Sequence, residues 1–192
     1  MGYTRKWTRA ERQQFEHDQR NPAFRSWLSG MDDAIVEFMT VDAPEVGKLD
    51  NPWSRGGLVA ISGLLRARFP DPDSIDATEN APVLDRYVRV IGEVFRRSFE
   101  GRWVNVLDNA PKGSAEFWPE VDIPAFGFVD PDKQLGGAFR QRPDRPDGNL
   151  VWVYGNAERD YHEWVEHGRP EWDTWYDLRN KLWTDRIEHG AP

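Results

Sequence analysis

The 192-residue chain contains no cysteine. A disulfide scaffold, an iron–sulfur centre, a thiolate zinc site and a cysteine nucleophile are excluded on that ground. Lysine is scarce: of 25 basic residues only five are lysine, and the other 20 are arginine. Positive charge as a whole runs short, because 33 Asp and Glu leave the chain at −8. That balance argues against a nucleic-acid interface, whose affinity rests on clustered cations. Long apolar runs are missing too. None approaches the roughly 18 residues of a membrane-spanning helix, and the N-terminal stretch MGYTRKWTRAERQQFEHDQR lacks the apolar region of a secretory signal. Lys6 stands where a myristoylation pattern needs Ser or Thr. The expectation is a cytoplasmic protein without a membrane anchor. Neither a G-x-x-x-x-G-K-[ST] phosphate loop nor a G-x-S-x-G nucleophile elbow occurs.

Tryptophan, by contrast, is abundant, with ten residues, and most apolar residues fall at helical spacing. Thr8-Arg9-Ala10-Glu11 is a capping box for a short surface helix to about Arg20. Asn21-Pro22 starts a second helix, on which Phe24, Trp27, Leu28, Met31, Ile35, Phe38 and Met39 form one continuous stripe past Gly30. A third helix, Arg55 to Phe69, carries Leu58, Ile61 and Leu65 and stops at Pro70. The most regular runs from Pro82 to Glu100. Its apolar face is Leu84, Tyr87, Val88, Ile91, Val94, Phe95 and Phe99, with Arg89, Glu93 and Arg97 spaced for ion pairs beside it and Gly101 at the C′ position. Extended segments follow at Trp103–Leu107, Ala115–Trp118 and Pro124–Val129, and the apolar run Leu150–Tyr154 reads as a further strand broken by Gly155-Asn156. Asp130 caps a short helix with Leu135, Ala138 and Phe139. Two more helices follow, one on Ala157, Tyr161, Trp164 and Val165, the last from Pro170 to about Glu188.

Strands that do not alternate regularly with helices exclude a doubly wound sheet. The expected fold is α+β, a predominantly helical single domain over 1–192 with a small antiparallel sheet. N-terminal helices occupy 1–50, the α+β core 51–168, and a C-terminal aromatic helix 169–192.

Candidate chemistry is sparse. His162 and His167 are five residues apart, roughly 140° around a helix, whereas a zinc-protease motif places its histidines four apart on one face. No metal and no cofactor are implied. The acidic loop Asp71, Asp73, Asp76 and Glu79 departs from a calcium loop, with Ile75 and Asp76 where an oxygen ligand and Gly belong. It reads as an irregular cation contact or as a solvated linker. Glu93 is the one carboxylate set in a core-packing helix; it suits general acid–base work if partly buried, or structural pairing with its arginines. On the last helix Trp172, Trp175, Tyr176 and Trp183 form one stripe and Leu178 and Leu182 a second, a width that suits deep burial or a partner surface.

The segment Tyr87-Val88-Arg89-Val90-Ile91-Gly92-Glu93-Val94-Phe95-Arg96-Arg97, followed by Gly101-Arg102-Trp103-Val104, resembles small uncharacterised bacterial α+β families in which a Gly-Glu helix runs into a Gly-x-Trp strand. The resemblance covers about 20 of the 192 residues. It implies a fold neighbourhood and, since some such families accompany toxin systems, an immunity-type role; no functional residue carries over. The leading expectation is a non-enzymatic protein-binding domain, immunity-type or regulatory, with a partner that is basic, since an acidic protein is steered toward a basic one. The alternative is a carboxylate-dependent hydrolase or carbohydrate-binding protein, which requires two acids a set distance apart or exposed tryptophans. Monomer and homodimer both remain open.

Overall fold

The computed structural model describes residues 7–71, 74–75, 77–111 and 116–189, with side chains to residue 185. Thr8 opens α1 (Arg9–Asp18) with its capping box complete, the hydroxyl accepting from the Glu11 N–H and the Glu11 carboxylate from the Thr8 N–H. No residue of α1 is buried. Asn21 caps α2 (Pro22–Ser29) through the N–H groups of Ala23 and Phe24. The continuous stripe expected here is instead divided. Gly30 closes α2 and begins α3 (Met31–Glu37), which passes into a π-turn at Phe38–Asp42. The apolar spacing survives the break because Phe24, Met31, Ile35 and Phe38 are all buried. The short α4 (Pro44–Gly47) leads to α5 (Arg55–Arg68), whose Leu58, Ile61 and Leu65 are wholly buried.

The centre of the fold is α6 (Ala81–Ser98), around which α3, α5 and several of the later elements pack. From Tyr87 to Phe95 every residue is buried, including Arg89 and Glu93. The chain then forms β1 (Arg102–Asn105), β2 (Pro119–Ile123) and β3 (Gly127–Val129), an antiparallel sheet in the order β1-β2-β3. The return strand comes later than the expected Ala115–Trp118: residue 115 lies outside the described residues, and pairing begins with Pro119 opposite Asn105. The free edge of β1 is covered by a side chain. Gln19 accepts from the Asn105 N–H and donates to the Asn105 carbonyl, at 2.8 and 2.9 Å. That supplies the edge with the partner it would otherwise lack.

Asp130 caps α7 (Pro131–Phe139) through the Lys133 N–H. The run Leu150–Tyr154 is helix rather than strand, the first turns of α8 (Asn149–Glu166). Its buried members, Leu150, Val151, Tyr154 and Ala157, keep helical spacing while Trp152 faces solvent, and a short apolar run cannot by itself distinguish the two periods. Gly155 and Asn156 lie inside this helix. The chain closes with α9 (Trp172–His189). The result is an α+β protein, predominantly helical with one small sheet, and no helix among the described residues is long and apolar enough to cross a membrane.

Candidate functional site

The Gly-Glu and Gly-x-Trp segments meet as one packing unit. The Trp103 indole lies against Gly92, where a Cβ would stand 2.0 Å from its Cη2. The same indole donates its N–H to Glu93 at 2.8 Å. Glu93 also accepts from Arg96 at 2.6 and 2.9 Å and from Arg97 at 2.7 Å. Burial works to raise the Glu93 carboxyl, but the hydrogen bonds from Arg96, Arg97 and Trp103 outweigh it and hold it below the ordinary value. An ionised, enclosed carboxylate with four donors is built for structure. Arg89, spaced for Glu93, pairs instead with Asp85 and donates to the Trp27 carbonyl, its guanidinium 4.1 Å from the Trp27 ring centre.

Two helix ends create the larger feature. At the end of α6 the Gly101 N–H reaches back to the Arg96 carbonyl, and at the end of α8 the Arg169 N–H reaches back to Trp164, both at 2.9 Å. Both are six-to-one closures of the Schellman type. The left-handed residue after α6 is Glu100, at φ 54°, one position before the expected Gly101. After α8 it is Gly168, followed by a second left-handed residue, Arg169 at φ 55°. Among the described residues these are the two non-glycine positions with positive φ, and they bond to each other. Arg169 donates to Glu100 at 2.8 and 3.1 Å, and the Tyr161 hydroxyl donates to the same carboxylate at 2.7 Å. The Arg169 guanidinium, then the Tyr161 hydroxyl, hold Glu100 below the usual carboxylate range. Strained backbone concentrates where a site requires a fixed geometry.

Glu100 and Arg169 line a cleft of about 590 Å³, within the roughly 300–1,000 Å³ of ligand sites. One wall is Trp7 with Arg12, Phe15 and Glu16 of α1; the floor is Arg102 and Asp122 of the sheet with Pro124. The far wall is Trp164, Pro170, Glu171 and Trp172. Every arginine here holds a carboxylate: Arg12 with Asp173, Arg102 with Asp122 and Arg169 with Glu100. Glu16 and Glu171 hold no ion pair with a described residue.

The residues singled out in sequence are thereby separated. Trp175 is wholly buried beside Trp164 and Ala125 and donates to the Ala125 carbonyl at 2.7 Å, so it serves the packing of the chain itself. Trp172 lines the cleft, Tyr176 is half-buried against Trp172, and Trp183 is 64 % exposed. Asp71 and Glu79 are exposed, Glu79 in a single 3₁₀ turn, and Asp73 and Asp76 lie outside the described residues. Among the described residues no group of three His, Asp or Glu is placed to hold a metal ion.

A second carboxylate locus was not legible in sequence. Glu120 of β2 is 1 % exposed and accepts from Asn109 at 2.8 Å. Burial, with the neighbouring Asp130 charge adding to it, pushes its carboxyl up to about 7. Asp130 in turn accepts from the Trp118 indole at 2.9 Å and from the Lys133 ammonium at 2.8 Å. The only sequence signal was a charged residue alternating with Val121 and Ile123, which reads as a solvent-facing position. Neither acid lines the cleft. No family model matches the chain, and comparison with curated proteins and with solved structures returns no match either.

Proposed function

We propose that the protein is a non-catalytic binding protein whose aromatic cleft takes a basic segment of a protein partner. One observation carries this reading. Among the described residues the cleft's arginines are already paired, whereas Glu16 and Glu171 are not, so the charge left over is negative and stands beside the half-buried Trp7 and Trp172. A guanidinium or ammonium entering there gains both a carboxylate and a π-face. The net charge of −8 steers the same class of partner from a distance. An immunity-type or regulatory role in a bacterial cytoplasm, in which an acidic protein covers a basic surface, is the setting we propose for this activity.

Titration with a fluorescent nona-arginine peptide tests the reading. The expected result is saturable binding that quenches tryptophan emission, weakens with salt, and falls about tenfold in the Glu16→Gln/Glu171→Gln double variant, which removes two charge-assisted contacts. Glu45→Gln/Asp50→Asn, two exposed acids away from the cleft, removes the same two charges and controls for charge alone. Equal losses in the two variants, or no binding, overturn the proposal.

The cleft's two half-buried indoles, Trp7 and Trp172, also favour a second reading, stacking against a neutral sugar ring. Salt-independent quenching by an oligosaccharide, with the peptide inert, would select it. The hydrolase alternative draws less support, because its sequence candidate Glu93 is enclosed and held by Arg96 and Arg97, and Glu120 and Asp130 are enclosed too; among the described residues Glu16 and Glu171 are the unpaired acids left to it in the cleft.

A further inference from the structure

The Arg12–Asp173 pair differs from the other ion pairs of the cleft. Arg102 and Asp122 face each other in register across β1 and β2. Arg169 and Glu100 are fixed by two helix ends. Arg12 instead reaches from α1 to α9 through one contact of 3.2 Å, and its two ends are 55 % and 52 % exposed. Each helix is anchored separately, α1 by Phe15 stacking on Phe128 and α9 by Trp175. The pair is thus a bridge between two independently held walls, made by a residue that itself lines the cleft.

Resting on the binding reading above, we infer that Arg12 is an intramolecular stand-in for the partner's cation, and that a partner arginine displaces it from Asp173. An exposed single-contact pair contributes little to stability, so a two-pronged guanidinium contact replaces it at small cost. The free protein keeps its cleft bridged, and the bridge opens only for a ligand that supplies the same chemistry.

The test compares nona-arginine affinity in wild type, Arg12→Met, Asp173→Asn and Arg9→Met. Arg9 is an exposed residue of α1 outside the cleft, and its loss changes net charge by the same amount. Arg12→Met is expected to bind about threefold to fivefold more tightly, Asp173→Asn more weakly by a similar factor, and Arg9→Met as wild type does, the size being that of an exposed ion pair. If wild type binds and Arg12→Met gains no more than Arg9→Met, the stand-in is overturned and the binding reading survives. An unchanged Asp173→Asn overturns it in the same way. If no form binds, both fall together. Melting curves for each variant, expected to overlay because both ends are exposed, exclude unfolding as the cause.

Discussion

A glutamate at φ 54° costs backbone energy that a glycine would not. Glu100 occupies that position because its carboxylate receives both Arg169 and Tyr161. The two contributions separate by substitution. Glu100→Ala loses the side-chain bonds and keeps the strain; Glu100→Gly loses the same bonds and relieves it. The glycine variant is therefore expected to be more stable than the alanine variant by about 1 kcal/mol in chemical denaturation, whatever each does relative to wild type. Equal stabilities would mean that the backbone relaxes out of the left-handed region. Gly92 makes the opposite case. It is helical, so alanine suits its backbone, but the added Cβ would stand 2.0 Å from the Trp103 ring. Gly92→Ala is expected to destabilise at the upper end of the roughly 1–3 kcal/mol typical of overpacking, with a shifted tryptophan emission; a neutral result would show that the indole moves aside freely. The Gly-Glu and Gly-x-Trp segments noticed in sequence are thereby explained by packing, since Gly92 makes room for the ring that Glu93 then hydrogen-bonds.

Elements were legible where a cap or a long period marked them. Thr8, Asn21 and Asp130 each accept the N–H that their position promised, and α6 keeps its period over five turns. Two elements were obscured for a shared reason: local pattern does not record what lies opposite. Leu150–Tyr154 is apolar because α8 packs against α5 and α7, not because it pairs in a sheet. The cleft was illegible because its walls come from the two ends of the chain, and only the fold brings residue 12 to residue 173. The last helix showed a wide apolar face but not that Trp175 would be its wholly buried anchor, with Trp172, Leu178 and Leu182 packed partly buried around it. With Ala125 and Trp164 it forms a small cluster apart from the main core. Trp175→Ala is accordingly expected to release α9 locally. Truncating a buried Trp typically costs about 3–5 kcal/mol, and here the loss should appear as faster amide exchange throughout α9 while α5 and α6 keep their protection. Uniformly faster exchange across the protein would mean that the two clusters unfold as one.

At the scale of the whole molecule, stability depends on how the acid excess is ionised. Most of it is solvated, but several carboxyls respond to burial in opposing ways. Hydrogen bonds hold Glu93 and Glu100 below the ordinary value, so they contribute stability at neutral pH and lose it as pH falls through their lowered range. Glu120 runs the other way. Burial raises it from 4.5 to about 7, so between those values the folded chain keeps a proton that the unfolded chain releases. Its stabilising state is present at low pH and is lost as pH rises through about 7. At about 1.4 kcal/mol for each pH unit, the loss comes to roughly 3 kcal/mol by pH 8. Glu120→Gln keeps an oxygen for the Asn109 donor and has no proton to lose. The variant should therefore match wild type near pH 4.5 and exceed it progressively toward pH 8, with the gap levelling off once Glu120 is ionised. Denaturation curves at four pH values measure the gap directly, and the contributions of Glu93 and Glu100 cancel in the difference. Parallel curves would mean that Glu120 titrates like an exposed acid and that the enclosure by Asn109 and the Asp130–Lys133 pair opens in solution.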